Sequence, residues 1–154
     1  MPEKCPECGA VLRSGWACRD YFDALLFLES DLGLSHGALL SSTDMQAAHF
    51  YTVSCYVLQH PIGMRYTVAA IQTTKDNLEQ YLAETRSIAD IRQSISQAPE
   101  KVRILRGDDE TPHDWGITKW SMTTADVLAL GASEYLKSTQ EWAIATISDI
   151  NHCV

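Results

Sequence analysis

The closely spaced cysteines at the N-terminus constrain this chain more than any other feature. Cys5-Pro6-Glu7-Cys8-Gly9 places two cysteines two residues apart with a glycine directly after the second, and Cys18 follows ten residues later. This spacing is typical of a zinc knuckle, a tight turn that points both sulfurs at one position. The glycine lets backbone N–H groups approach the thiolates without a Cβ in the way. The pattern therefore predicts a Zn²⁺ site at the N-terminus with Cys5, Cys8 and Cys18 as three of its four ligands.

Length and composition predict a single domain. The chain has 154 residues, of which 45% are hydrophobic and 21% are charged. These values are typical of a globular domain that buries a sizeable core. We expect one domain over residues 1–154, with the zinc knuckle in 1–18 and a helical bundle in 19–154.

The charge balance disfavours binding to nucleic acids and to anionic membranes. The chain has 20 acidic and 12 basic residues, for a net charge of −8, and an acidic surface repels phosphate groups. It has no apolar run long enough to predict a transmembrane helix, and its first residues lack the apolar stretch of a signal peptide. We therefore expect a cytoplasmic protein, in which five cysteines are more readily metal ligands or free thiols than disulfides.

The spacing of the apolar residues predicts a mainly α fold. Helices are expected over 16–31, 44–59 and 64–84, then from a capping box formed by Ser87 and Asp90 to Pro99. A short helix capped by Thr123 or Thr124 and a long one over 133–151 complete the bundle. Residues 101–106 alternate apolar and basic side chains, which is compatible with one short exposed strand. The overall prediction is a helical bundle with the N-terminal zinc knuckle docked on it.

The fourth metal ligand can be chosen by the geometry of the first two helices. The candidates are His49, His60, Cys55 and His36. If the two helices form an antiparallel hairpin, Cys18 at the start of the first lies beside His60 at the end of the second. His49 lies eleven residues earlier, roughly 16 Å further along the helix axis, and Cys55 points away from the stripe that holds both histidines. The hairpin argument therefore predicts His60.

A redox role for the Cys-Pro-x-Cys sequence is the main alternative to metal binding. Thiol oxidoreductases place this spacing at the start of a helix that follows a β-strand. Only four residues precede Cys5, and Gly9 follows the second cysteine, so no strand is available to carry such a site. The pattern favours metal binding.

These residues resemble a family of small uncharacterised bacterial proteins, a domain-of-unknown-function family. That family opens with a Cys-Pro-x-Cys-Gly knuckle, followed by a lone cysteine that begins a helix and by a histidine-bearing helix that ends in Gln-His-Pro. This chain resembles it in the knuckle, in Cys18, in His49 followed by Tyr56, and in Gln59-His60-Pro61. Weaker similarities lie in Asp114-Trp115, residues 124–127 and Trp142-Ala143, so the resemblance spans most of the chain.

The resemblance implies zinc and a helical fold, and it leaves the activity open. The family pattern also has a histidine in the third helix, whereas residues 72–75 of this chain offer none. This difference disfavours a second metal site built across the second and third helices.

His49 and Tyr56 on one face of the second helix suggest a second site. His49 is a candidate general base or metal ligand within the bundle, although a core histidine hydrogen-bonded to a carboxylate or a tyrosine is the commoner arrangement. If it acts as a base or a ligand, Asp23, Glu29 or Asp31 of the first helix can supply the carboxylate that fixes its tautomer.

Two classes of function follow from these expectations. The first is a non-enzymatic, zinc-stabilised domain that acts through contacts with a protein partner or with its own copy, with residues 101–106 as a contact surface. The second is a small metal-dependent enzyme, a hydrolase or a thiol transferase, with an open zinc position near His49 or His60. A buried four-ligand site supports the first, and an open position facing a cleft lined by His49 and Tyr56 supports the second.

Overall fold

Six α-helices make up most of the described part of the chain, which in this computed structural model comprises residues 3–34, 41–97 and 103–153. The predicted mainly α fold is therefore confirmed. A 3₁₀ turn at Ala132–Glu134 separates the last two helices. No helix among the described residues combines the length and the apolar character that a membrane span requires. The helices are α1 (Cys18–Leu34), α2 (Ser42–Gln59), α3 (Val68–Leu82), α4 (Ile88–Gln97), α5 (Thr124–Leu130) and α6 (Tyr135–Asn151).

Side-chain caps fix where the helices begin. The Ser41 hydroxyl accepts a hydrogen bond from the backbone N–H of Asp44 at the start of α2. The predicted capping box of α4 is present, because Ser87 and Asp90 each accept a hydrogen bond from the other's backbone N–H. Each such cap contributes about 1 kcal/mol to helix stability by satisfying N–H groups that the helix leaves unpaired.

The third helix begins later than its apolar pattern predicts. The pattern places the start at Met64, but the helix begins at Val68 because Thr67 caps it by accepting from the N–H of Ala70. The residues between α2 and Thr67 form turns, and Arg65 adopts a positive φ of 57°. Met64 packs against the core from this turn.

The core forms around α2, which packs against α1, α3 and α6. Leu25 of α1, Leu58 of α2, Ile71 of α3 and Trp142 of α6 are all fully buried. Burying a side chain of this size stabilises the fold by about 1.5–3 kcal/mol. Trp142, the largest of these side chains, anchors α6 in the core. Because α1 also packs against α5, the beginnings of these two helices are brought together.

The alternation at residues 101–106 is compatible with a short strand, but the described residues of this segment do not form one. Residues 101 and 102 lie outside the described residues. Leu105 forms an isolated antiparallel bridge with Tyr66, and the N–H of Thr67 donates to the carbonyl of Ile104 at 2.7 Å. The segment is therefore paired on one side with the turn that leads into α3.

Candidate metal centre

The four residues nominated by the sequence lie together. The ligand atoms of Cys5, Cys8, Cys18 and His60 are all within 4.8 Å of one another, and none of the four residues is more than 6% exposed. They come from the knuckle, from the first residue of α1 and from the residue that follows α2. The start of α1 therefore lies beside the end of α2, as the hairpin argument predicts, and the arrangement is compatible with a metal site.

Backbone hydrogen bonds give the knuckle its shape. The N–H of Gly9 donates to the carbonyl of Cys5 at 2.9 Å, and the N–H of Cys5 donates to the carbonyl of Ala10 at 2.8 Å. Gly9 adopts a φ of +78°, and a Cβ at this position would lie only 2.7 Å from the carbonyl oxygen of Thr118. Both the left-handed conformation and this close approach require glycine.

The knuckle is also held against the rest of the fold by its own side chains and backbone. The Glu7 carboxylate accepts hydrogen bonds from the backbone N–H groups of Ile62 (2.9 Å) and Gly63 (3.0 Å), directly after His60. On the other side, the backbone N–H of Trp120 donates to the carbonyl of Cys8 at 3.3 Å. The knuckle is thus fastened to the two segments that flank the metal centre.

His60 is oriented for metal binding by its neighbours. Its Nδ1–H donates to the carbonyl oxygen of Tyr56 at 2.8 Å, so Nε2 is the ring nitrogen left for a metal. Nε2 faces the sulfurs, 3.6 Å from Sγ of Cys5. The Tyr56 ring stacks on the imidazole, and Phe22 stacks on Tyr56, each at a centroid distance of 4.1 Å. Ligating histidines are commonly oriented by such a second hydrogen bond.

Cys18 has a partner that the sequence does not suggest. The hydroxyl of Thr124, the first residue of α5, lies 3.2 Å from Sγ of Cys18, and Thr124 is fully buried. A hydroxyl at this distance can donate to a thiolate. Cys18 is also the first residue of α1, at the positive end of the dipole of that helix.

The electrostatics of the cluster favour a bound cation. Hydrogen bonds from Cys18 and Cys8 hold the pKa of the Cys5 thiol far below its usual range, whereas the neighbouring Cys18 and Cys5 raise the pKa of Cys8 far above it. Burial alone would lower the pKa of His60, but hydrogen bonds to Cys18 and Cys5 raise it to about 10. The three sulfurs cannot all be thiolates so close together without a positive charge between them, and a divalent cation supplies that charge.

The other cysteine and histidine candidates lie elsewhere. Cys55 is fully buried, hydrogen-bonds with Thr146 of α6, and has its pKa raised by burial. His36 lies outside the described residues. His49 pairs with Glu29 of α1 through Nδ1 at 2.7 Å.

His49 and Tyr56 lie in different surroundings, and His49 has the commoner arrangement of a histidine hydrogen-bonded to a carboxylate. Tyr56 belongs to the aromatic stack on His60, whereas His49 belongs to a hydrogen-bond network centred on Glu29, which is only 4% exposed. Tyr135 of α6 donates to the second oxygen of Glu29 at 2.5 Å, and the hydroxyl of Thr52 lies 2.8 Å from the Tyr135 oxygen.

Asp23, Glu29 and Asp31 were the candidates for a carboxylate partner of His49. In the structure the partner is Glu29. Asp23 instead pairs with Arg19 on the surface, and Asp31 is exposed. The hydrogen bond from Glu29 raises the pKa of His49 above its ordinary value. The sequence gives no indication of Tyr135, which approaches Glu29 from a helix more than one hundred residues away.

Comparisons with known proteins identify the family of this chain. No curated protein and no solved structure matches it significantly. The sequence profile of a family of unknown function does match, in agreement with the resemblance expected from the motifs. Because this profile covers residues 3–151, the chain belongs to the family of unknown function DUF5946.

Proposed function

We propose that Cys5, Cys8, Cys18 and His60 bind one Zn²⁺ as a closed, structural site in a zinc-stabilised helical domain. The observation that carries this proposal is the convergence of four buried donor atoms within 4.8 Å of one another. Three thiolates and one imidazole are a characteristic donor set of structural zinc sites, and four protein ligands leave no position for water.

The bound ion would stabilise the fold by joining parts of the chain that are far apart in sequence. It would neutralise most of the charge of the three thiolates. The knuckle would then be fixed to the start of α1 and to the end of α2, with Tyr56 and Thr124 holding His60 and Cys18 in place. Because the ligands converge only in the folded chain, the free energy of metal binding contributes directly to folding.

The alternative of a zinc enzyme has less support. Three thiolates donate much charge to the metal and weaken it as a Lewis acid, which disfavours hydrolysis. The enzyme hypothesis also uses His49 or His60 to act on a zinc-bound water. His49 pairs instead with Glu29, and His60 is only 2% exposed among the sulfurs.

X-ray absorption at the zinc edge of the purified protein tests the closed site. The proposal expects three sulfurs at about 2.3 Å and one nitrogen at about 2.0–2.1 Å. A spectrum that requires a water oxygen in place of one protein ligand would instead favour the open, catalytic site.

We further propose that the domain acts through contacts with its own copy. Ile62, Ile104 and Leu105 are about half exposed or more, and the Arg106 side chain bonds the carbonyl of Ile62, so these residues share one surface. Arg103 at one end of this segment pairs with Glu110, so the proposed contact depends on the exposed apolar side chains rather than on charge.

The oligomeric state tests this second proposal. Sedimentation should show a dimer that Leu105→Asp converts to a monomer. The matched variant Ile144→Asp, which changes an exposed apolar residue of α6, should remain dimeric. A wild-type chain that remains monomeric throughout a concentration series would contradict self-association.

A further inference from the structure

A second candidate site lies between α2, α3 and α4, away from the cysteines. It is a cavity of about 280 Å³ with largely apolar walls, close to the lower end of the size range of small-molecule pockets. None of the four residues of the metal centre lines it. The apolar side chains that line it are those of Phe50, Val53, Val57, Ile88, Ile91 and Ile95.

The charged side chains at this cavity are of one sign. Among the described residues that line it, Arg92 is the only one with a full charge and His49 is the only histidine. No acidic residue of the described part of the chain lines the cavity, although the protein as a whole is acidic. The ion pairs among the described residues do not include Arg92. Because Glu29 offsets the charge of a protonated His49, the unpaired charge at the cavity is that of Arg92, which favours an anion.

His49 is held with one ring nitrogen available to a ligand. Its Nδ1 pairs with Glu29, which Tyr135 fixes from the opposite side, so Nε2 is the remaining donor. The side chain is 54% exposed and lines the cavity. A buried carboxylate that binds one nitrogen of a histidine fixes the ring plane and stabilises its charged form.

We propose that this cavity binds a small carboxylic acid with an apolar tail. The tail lies among the side chains of α2, α3 and α4, and the carboxylate lies between Nε2 of His49 and the guanidinium of Arg92. Arginine suits this role because its planar fork matches a carboxylate, and a charged histidine adds a second charge-assisted hydrogen bond. A cation with the same tail would meet the like charge of Arg92 at the head position.

Calorimetric titration of the full-length, zinc-loaded protein with octanoate tests the proposal. Octanoate should bind, octylammonium should bind at least tenfold more weakly, and acetate, which lacks the tail, should show no binding. Arg92→Gln should weaken octanoate binding about fivefold, which is the effect of losing one partly exposed ion pair. Arg19→Gln is the matched control, because Arg19 is an exposed arginine on α1 that pairs with Asp23 instead.

Filling the cavity tests the location of the tail. Val53 is half-buried and lines the cavity, so Val53→Trp should abolish octanoate binding while the circular dichroism spectrum stays helical. Absence of octanoate binding would overturn the proposal. So would equal affinities for octanoate and octylammonium, or an Arg92→Gln variant that binds like the wild type.

Discussion

Replacement of Gly9 by alanine tests how closely the knuckle must approach the segment that precedes α5. Gly9 adopts a φ of +78°, a conformation that costs an L-residue about 1–2 kcal/mol. The added Cβ would also lie 2.7 Å from the carbonyl oxygen of Thr118 and 3.3 Å from Cα of Lys119. Both contacts are with backbone atoms, which cannot rotate away, and overpacking of this kind costs about 1–3 kcal/mol. Together the two effects should lower the free energy of unfolding by about 2–5 kcal/mol.

Gly15→Ala is a matched control for the backbone conformation. Gly15 adopts almost the same φ, +79°, but a Cβ there would meet no heavy atom within 4 Å. Its replacement should therefore cost only the conformational part, about 1–2 kcal/mol. The difference between the two variants measures the close approach at Thr118.

Urea unfolding of the zinc-loaded variants, followed by circular dichroism, provides the comparison. Gly9→Ala should unfold at the lower urea concentration. It should also lose zinc to a competing chelator more readily than Gly15→Ala, because Gly9 directly follows Cys8. Equal losses of stability in the two variants would refute the tight docking of the knuckle against Thr118 and Lys119.

Three further predictions concern the hydrogen bonds around the two sites. Thr124→Val removes the hydroxyl 3.2 Å from Cys18 and should weaken zinc binding about tenfold in a chelator competition, whereas unchanged affinity would show that this hydroxyl has no role. Tyr135→Phe removes one of the two hydrogen bonds to the buried Glu29 carboxylate, leaves the bond from His49, and should lower the free energy of unfolding by about 1–3 kcal/mol in urea. Because Glu29 raises the pKa of His49, the protonated histidine stabilises the fold below its ordinary pKa of 6.5, and this contribution is lost as the pH rises through the folded-state pKa. The stability difference between the wild type and His49→Gln should therefore be largest in acid and shrink in alkali, and a difference that does not vary with pH would contradict the ion pair.

The sequence predicts those parts of the fold that depend on residues close to one another along the chain. Apolar spacing and caps such as Ser87 with Asp90 act within one or two helical turns, so they locate the helices to within a few residues. The proximity of Cys18 and His60 was also predictable, because they lie at the ends of consecutive helices and an antiparallel hairpin places those two ends side by side.

The parts that the sequence does not predict depend on contacts between distant segments. Thr124 reaches Cys18 from 106 residues away, and Tyr135 reaches Glu29 over the same separation. A threonine that begins a helix, or a tyrosine within one, has no spacing that identifies such a partner. The packing of α1 against α5 creates the first contact, and the packing of both α1 and α6 on α2 creates the second.

His49 and Tyr56, for which the sequence left a common site open, lie in different surroundings for a geometric reason. Seven residues separate them, so they share a helix face but lie roughly 10 Å apart along the axis. His49 lies at the cavity. Tyr56 lies one to two turns further along, where it stacks on His60 of the metal centre. A shared face therefore did not imply a shared site.

The zinc content of His60→Ala and His49→Ala beside the wild type tests the central claim most directly. All three proteins are purified in the same way, and metal is measured per chain by mass spectrometry. We expect one zinc per wild-type chain, the same content in His49→Ala, and a marked loss in His60→Ala, because His60 lies with the three sulfurs whereas His49 pairs with Glu29. Zinc retained in full without His60, or lost without His49, would contradict the Cys₃His site proposed for this fold.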